Sequence, residues 1–545
     1  MKRFALFAIL VLVVFASCQK RKPIDRPKIV IGLVIDQMRW DYLYRYYNLY
    51  GNGGFKRLMK DGFNCQNTMV SYMPANTAPG HSCIYTGSVP SIHGIAGNNW
   101  IDNRTGKYCY CVDDSTVHLV GDATNAPSMS PNTMLTTTIT DELRLGTNLK
   151  SRVFGIAIKD RGSILPAGHL ANGAYWYNDK TGDFTTSTYY PYPNQNPDWL
   201  KAFNKRKGGD SLVKQGWTLL YPQSEYVQST PDATNYEKGF KGEKAPVFPH
   251  VFDSLADSDR YSVLKLIPAG NTYSIMAAKA CIEGEKLGMG DDMDFMALSL
   301  SSTDYCGHQF APNSVEIEDM YLRLDRDIAE FLKYLDRRFG KNNYLFFLTA
   351  DHAGAHNAVF LQDLDIPAGV MYVNTTNDLN DYLKKEYKKD SLVLGIVNYQ
   401  VVFNYPQIAK ANLDKSKIKA SIIDWLNKKP EISYVIDMDN MDKTPVPEPI
   451  RTLAINGYYK NRSGEIQIVL NPAWYDMGGK QTGMTHGSWN PYDTHIPLLW
   501  YGWHIHKGET HTVINMTDIT PTLAALLHLQ MPNGCIGKPI VDVIK

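Results

Sequence analysis

Residues Ile29–Ile35 read Ile-Val-Ile-Gly-Leu-Val-Ile, seven positions without a polar side chain, closed at once by Asp36. A run so short and uninterrupted has no face to offer water. It predicts a strand buried on both sides, as in a parallel sheet covered by helices. The pattern recurs at 153–158, 295–300, 344–348 and 496–501. Between these runs the period changes. Met320, Leu324, Ile328, Phe331 and Leu335 share one helical face, which predicts a helix over 315–338. A second is predicted over 518–529, with Pro521 near its start, where a missing N–H is tolerated. Strands alternating with helices give an α/β fold, a mostly parallel central sheet flanked by helices.

At 545 residues the chain has room for more than that sheet. Two long segments, about 172–260 and 369–481, interrupt the plan. The first is rich in Tyr, Pro, Asn and Gly and contains a hairpin-like stretch at 175–184. The second carries its own helix near 417–427 and strand near 464–470. Both are expected to be insertions that cap one end of the sheet. Lys and Arg number 56 against 55 Asp and Glu, a net charge of +1, which argues against a general nucleic-acid binder or a polybasic membrane-surface protein.

Lys2 and Arg3 precede an apolar run over 4–15, shorter than the roughly 20 residues of a membrane span. This fits a secretory signal peptide. Phe15-Ala16-Ser17-Cys18 resembles a bacterial lipobox with Phe in place of the usual aliphatic residue. The expected organisation is therefore a lipoprotein signal peptide over 1–18, a basic linker over 19–27, and an exported domain over 28–545 tethered by lipid at Cys18. Seven further cysteines leave at least one unpaired, and their connectivity is open.

Polar residues gather where the apolar runs end. Asp36 follows the first, Asp304 and His308 the third, Asp351 and His352 the fourth, and His486 precedes the fifth. In open parallel sheets, ligands bind beyond the carboxyl ends of the strands. Three Asp and three His form a mixed oxygen and nitrogen set that suits Zn²⁺. Six ligands exceed one tetrahedral ion and match two ions about 4 Å apart, the arrangement used for displacement at phosphorus. Taken singly, each Asp also reads as a cap or turn residue and each His as an ordinary hydrogen-bonded one.

The nucleophile candidate lies in Asn76-Thr77-Ala78-Pro79-Gly80-His81-Ser82. Pro79 suits the first turn of a helix, whose free N–H groups and dipole favour an anion. Thr77 there is either a nucleophile or a plain N-cap. His81 and Ser82 compete, but no G-x-S-x-G elbow surrounds Ser82. Asn98, in Gly97-Asn98-Asn99-Trp100, offers an amide to a phosphoryl oxygen or serves a turn. Lys159 and Arg161, flanking Asp160 after the second run, offer a cationic clamp or a solvated turn.

These motifs, in this order, resemble the alkaline phosphatase superfamily, most closely the phosphate-irrepressible alkaline phosphatases of flavobacterial type. The segments that carry the resemblance are Gly32 to Asp36, Asn76 to His81, Gly94 to Trp100, Lys159 to Gly162, Thr303 to His308, Thr349 to His352, Thr485 to Gly487 and Asp518 to Thr522. The resemblance implies two zinc ions, one held by Asp304, His308 and His486, the other by Asp36, Asp351 and His352 with Thr77. It implies Thr77 as nucleophile, a phospho-threonine intermediate hydrolysed with net retention at phosphorus, and Asn98, Lys159 and Arg161 on the non-bridging oxygens. The expected enzyme is a broad-specificity, periplasmic phosphomonoesterase for phosphate scavenging. It would act as a monomer on small phosphate monoesters, not on nucleic acid. Lys159 and Arg161 favour the monoester dianion over a diester. The C/S-x-P-x-R pattern of sulfatases is here Thr77-Ala78-Pro79-Gly80-His81, which argues against a sulfatase. The alternatives are a phosphodiesterase or nucleotide pyrophosphatase of the same superfamily and, more remotely, a non-catalytic lipoprotein that binds phosphorylated ligands or glycans.

Overall fold

The computed structural model describes residues 24–121, 127–191, 195–372 and 374–545. The segment expected to be a signal peptide, with Cys18, lies outside the described residues. Five strands form the parallel centre of a nine-stranded sheet: β1 (Ile29–Ile35), β2 (Val153–Ala157), β3 (Gly173–Asn178), β4 (Asp294–Leu300) and β5 (Tyr344–Thr349). Their spatial order is β3-β2-β4-β1-β5. Every residue of β1, β2, β4 and β5 is buried, as uninterrupted apolar runs require.

Register sets what happens at the carboxyl ends. Ile35 pairs with Leu300 and Val34 with Thr349. Asp36 and Asp351 each stand two residues beyond the Val34–Thr349 pair, so the two carboxylates leave the sheet at the same height. Asp304 leaves four residues past Leu300, in the first turn of a helix.

Four helices matter for the site: α1 (Thr77–Thr86), α2 (Asp160–Ala167), α3 (Ser302–Phe310) and α4 (Val315–Phe339). Ser314 caps α4 by accepting from Ile317 N–H at 3.1 Å. Glu316 and Glu318 in its first turn and Arg337 and Arg338 in its last complement its dipole. The stripe from Met320 to Leu335 is buried as expected.

Two features differ from the sequence expectation. The 496–501 run gives β6 (Leu498–Gly502), which is antiparallel to β5, so burial on both faces did not require parallel pairing there. The hairpin at 175–184 is an edge of the central sheet, formed by β3 and Asp183–Thr185, rather than part of a cap. Its Tyr175, Trp176 and Tyr177 are buried, which makes an aromatic-rich segment a core strand. All seven cysteines among the described residues are free.

The 369–481 segment builds a second, four-stranded sheet in the order Val393–Val397, Gln400–Phe403, Ile466–Leu470, Ile432–Asp437. Helices Thr375–Tyr387 and Lys415–Leu426 cover it. Leu379, Leu383, Val401, Phe403, Ile418 and Ile422 belong to its own apolar core.

α1 lies hard against the carboxyl end of β5. A Cβ at Gly80 would meet the Asp351 backbone well inside contact distance, and Asp351 Cβ at 2.7 Å. Backbone cannot step aside as a flexible side chain can. Gly80→Ala is therefore expected to cost about 1–3 kcal/mol, read as a lower urea midpoint; an unchanged midpoint would contradict this packing.

Candidate active site

Asp36, Asp304 and Asp351 converge at the sheet's carboxyl edge, each at most 2% exposed. One ammonium faces them. Lys159, the N-cap of α2, puts Nζ 2.5 Å from Asp304 Oδ2 and 2.8 Å from Asp36 Oδ2. The approach to Asp36 has ion-pair distance without hydrogen-bond angles, and both Asp36 oxygens and Asp351 Oδ2 receive no hydrogen bond. Burial and the nearby Asp351 carboxylate push the Asp36 carboxyl well above the usual range. Burial alone would raise Asp304 too, but His308 and Lys159 hold it well below. The same carboxylates hold Lys159 protonated against the burial that disfavours its charge.

Two of the imidazoles add no charge to offset the carboxylates. Burial depresses His352, and burial together with His352 depresses His486 further, so both are neutral near pH 7. Lys159 alone faces three buried carboxyl groups, one of which, Asp36, is driven toward its neutral form; ionising all three together is costly unless more positive charge joins them.

The histidines are set up to receive such charge. His308 Nδ1 donates to the Met484 carbonyl at 2.8 Å, His352 Nδ1 to Ala353 at 2.9 Å, and His486 Nδ1 to Ala75 at 2.7 Å. A carbonyl only accepts, so each Nδ1 carries a hydrogen and each Nε2 is the ring nitrogen left facing the carboxylates. Metal-binding imidazoles are oriented in this way.

Two groups of donor atoms lie within 4.8 Å of one another: Asp304 with His308 and His486, and Asp36 with Asp304 and His352. Asp304 belongs to both. Its Oδ1 is 3.2 Å from His308 Nε2 and 3.7 Å from His486 Nε2. His352 Nε2 is 3.6 Å from Asp36 Oδ1 and 3.5 Å from Asp351 Oδ2. All six sequence candidates are thus gathered, with Asp351 beside the second group through His352. The orphaned carboxylate oxygens and the Nε2 atoms facing the carboxylates fit divalent cations.

Thr77 stands beside the second group, next to His352 and Lys159. Asn76 is the N-cap of α1 and Thr77 its first residue, so the Thr hydroxyl is not spent on capping. Its Oγ1 lies 3.3 Å from both His352 Nε2 and Lys159 Nζ. The N–H of Ala78 donates to Asn98 Oδ1 at 2.9 Å. That bond commits the acceptor end of Asn98 to the helix and leaves its NH₂ as the donor.

Arg161 Nη1 donates to the Tyr110 hydroxyl at 3.1 Å, and that hydroxyl donates to Asp160 Oδ1 at 2.5 Å. Arg161 Nε is buried without a hydrogen-bond partner. Lys159-Asp160-Arg161 is therefore not a solvated turn. Ser82 is spent inside α1, and His81 lies behind the site, with Nδ1 3.3 Å from Asp351 Oδ2. His81 Nδ1 is 2.9 Å from the Thr77 carbonyl and its Nε2 is 2.9 Å from Ser299 Oγ. Ser82 Oγ donates to the Ala78 carbonyl at 2.9 Å.

Sequence reasoning missed Gln37. With φ of 65°, it turns the chain straight after Asp36. Its N–H reaches Asp351 Oδ1 at 3.2 Å and its Nε2 reaches Asp304 Oδ1 at 2.9 Å. It thereby orients carboxylates from two other strands. The only sequence signal was a polar residue next to Asp36.

A profile of the type I phosphodiesterase / nucleotide pyrophosphatase family matches residues 30–493. Alkaline phosphatase PhoV of Synechococcus elongatus is 49% identical, over 96% of this chain and 94% of that one. A Myroides odoratus protein named calcium-transporting ATPase is 50% identical, over 96% and 95%. Alkaline phosphatase PafA of Elizabethkingia meningoseptica is 44% identical, over 99% and 98%. The crystal structure of wild-type PafA superposes with a TM-score of 0.92, covering 96% of this chain and all of that one. Murine ectonucleotide pyrophosphatase / phosphodiesterase 5, at 16% identity and a TM-score of 0.50, shares the fold alone. No helix among the described residues is long and apolar enough to cross a membrane.

Divalent cations that bind only the folded site stabilise it, by about 4 kcal/mol at a thousandfold excess over Kd. The melting temperature is expected to fall in excess chelator and to recover when zinc is added back. A melting temperature indifferent to both would contradict the charge argument.

Proposed function

We propose, for a chain that belongs to the type I phosphodiesterase / nucleotide pyrophosphatase family and is an alkaline phosphatase within it, that Thr77 is the nucleophile of phosphate monoester hydrolysis. The observation that carries the reading is the position of Thr77 Oγ1. It sits at a helix N-terminus, 3.3 Å from both Lys159 Nζ and His352 Nε2.

Zinc is the metal the donor set suits best, with three imidazole nitrogens among carboxylate oxygens. Asp304, His308 and His486 would hold one ion; Asp36, Asp351 and His352, with Thr77, would hold the other. When bound, the two ions supply Lewis acidity at the entering and leaving oxygens and a nucleophilic hydroxide at neutral pH.

The chain's own residues do the rest. Thr77 Oγ1 forms the bond to phosphorus and the ester oxygen leaves, giving phospho-threonine; water then cleaves that ester and regenerates Thr77. Two in-line displacements leave the configuration at phosphorus unchanged. The Lys159 ammonium, already beside Thr77, offsets charge on the non-bridging oxygens. Arg161 approaches the same oxygens with its guanidinium oriented by Tyr110, and Asn98 donates from its NH₂. Two fixed cations complement a dianionic monoester better than a monoanionic diester, which weighs against the phosphodiesterase alternative.

The substrates would be small phosphate monoesters of broad structure, hydrolysed for phosphate scavenging by a monomer. Export to the periplasm and lipid attachment at Cys18 rest on the basic start, the apolar run and the lipobox-like ending of residues 1–18.

Thr77→Ala is expected to lose the phosphoenzyme that wild type yields when quenched in acid with labelled substrate, together with its turnover. Persistence of label in Thr77→Ala would exclude Thr77. Arg161→Ala is expected to lower kcat/KM for an aryl phosphate by about 10²–10³-fold, and an unchanged value would remove Arg161 from the site.

A further inference from the structure

The strands Val393–Val397 and Gln400–Phe403 of the inserted sheet meet in a two-residue turn, Asn398–Tyr399. Both residues have positive φ, 56° and 60°. This is the backbone of a tight hairpin turn, in which the second position normally takes glycine. A tyrosine there is strained, and such strain is held only where surrounding contacts enforce it.

Those contacts lead to the active site. Asn398 Nδ2 donates to the Asn99 carbonyl at 2.8 Å, and its Oδ1 accepts from Asn76 Nδ2 at 3.3 Å. Gly97 has no side chain where the Asn398 amide lies, and any Cβ there would collide with it. Asn398 therefore touches both neighbours of Asn98 and the residue that precedes Thr77. Tyr399 reaches a third segment. Its ring would be 3.2 Å from a Cβ on Gly487, the residue after His486, while Gly487 itself has φ of 111°. Tyr399 is anchored behind: its carbonyl accepts from Ile468 N–H at 2.7 Å and its hydroxyl from Asp476 N–H at 3.0 Å.

We propose that this turn is a positioning device and that Asn398 is a positioning residue acting through Asn98. The inference rests on the reading of Asn98 as a phosphoryl-oxygen donor. The Asn98 amide is held on one side by the Ala78 N–H of α1. On the other, its flanking backbone is held by Asn398. One amide side chain from the insertion thus fixes the distance between the nucleophile's helix and the donor that must meet the transferred group. Misplacement of such a donor by about 1 Å costs up to 10²-fold in rate.

A double-mutant cycle tests this with the full-length, zinc-loaded protein and an aryl phosphate monoester. Asn398→Gly removes the amide while keeping a residue at ease with positive φ. Expected is a fall in kcat/KM of roughly 10–100-fold, with zinc content and melting temperature near wild type. In an Asn98→Ala background the same substitution is expected to change kcat/KM by less than about twofold, because the donor it positions is gone. An equal loss in both backgrounds, or no loss in either, overturns the inference while leaving the role of Asn98 standing. If Asn98→Ala alone leaves kcat/KM unchanged, the reading of Asn98 falls and the inference with it. Should Asn398→Gly fail to fold, Asn398→Asp, which keeps the acceptor but loses the donor to Asn99, carries the same cycle with the same outcomes.

Discussion

Three carboxylates and one ammonium, closed off from water at the end of a parallel sheet, are the arrangement on which the rest of this structure depends. Asp36, Asp304 and Asp351 are brought together by the register of β1, β4 and β5, and Lys159 by the end of β2. Left alone, the cluster is an electrostatic liability. The surroundings read as preparations for added positive charge. Three imidazoles are locked by carbonyls with Nε2 turned to the cluster, Gln37 steadies two carboxylates, and α1 is brought in at Gly80 so that Thr77 opens onto the cluster. On α3, Gly307 lets the Gln37 amide and the Met484 side chain lie close against the helix.

Much of this was legible in the sequence. Each apolar run of the parallel centre is short and uninterrupted, as a strand covered on both faces is. The Asp and His at the run ends were candidates because of where such strands point. What could not be read is telling. The hairpin at 175–184 looks like loop chemistry in its Asn-Asp-Lys-Thr-Gly, and only the burial of Tyr175, Trp176 and Tyr177 makes it a sheet edge. The 496–501 run carries the same apolar signal whichever way it pairs, so its antiparallel direction was hidden. Gln37 and Asn398 are ordinary polar residues whose importance lies in partners more than 250 residues away in the chain. The Thr77 alternative, a simple N-cap, was separable only by finding Asn76 in that position.

The two interruptions of the sheet sequence differ in kind. The first contributes its opening residues to the central sheet, whereas the second has its own sheet and core and meets the catalytic layer at a strained turn. In the proposed mechanism, strand ends supply charge, a helix start the nucleophile, and an inserted hairpin the alignment.

The central claim is that Lys159 and Arg161 face the transferred phosphoryl group and make this a monoesterase. The most direct measurement is kcat/KM of the zinc-loaded protein for an aryl phosphate monoester and for its matched diester, repeated after Arg161→Ala. The account predicts a large monoester preference that shrinks in the variant, because the lost cation counts for more against a dianion. A diester preference in the wild type, or a preference untouched by the substitution, would contradict it.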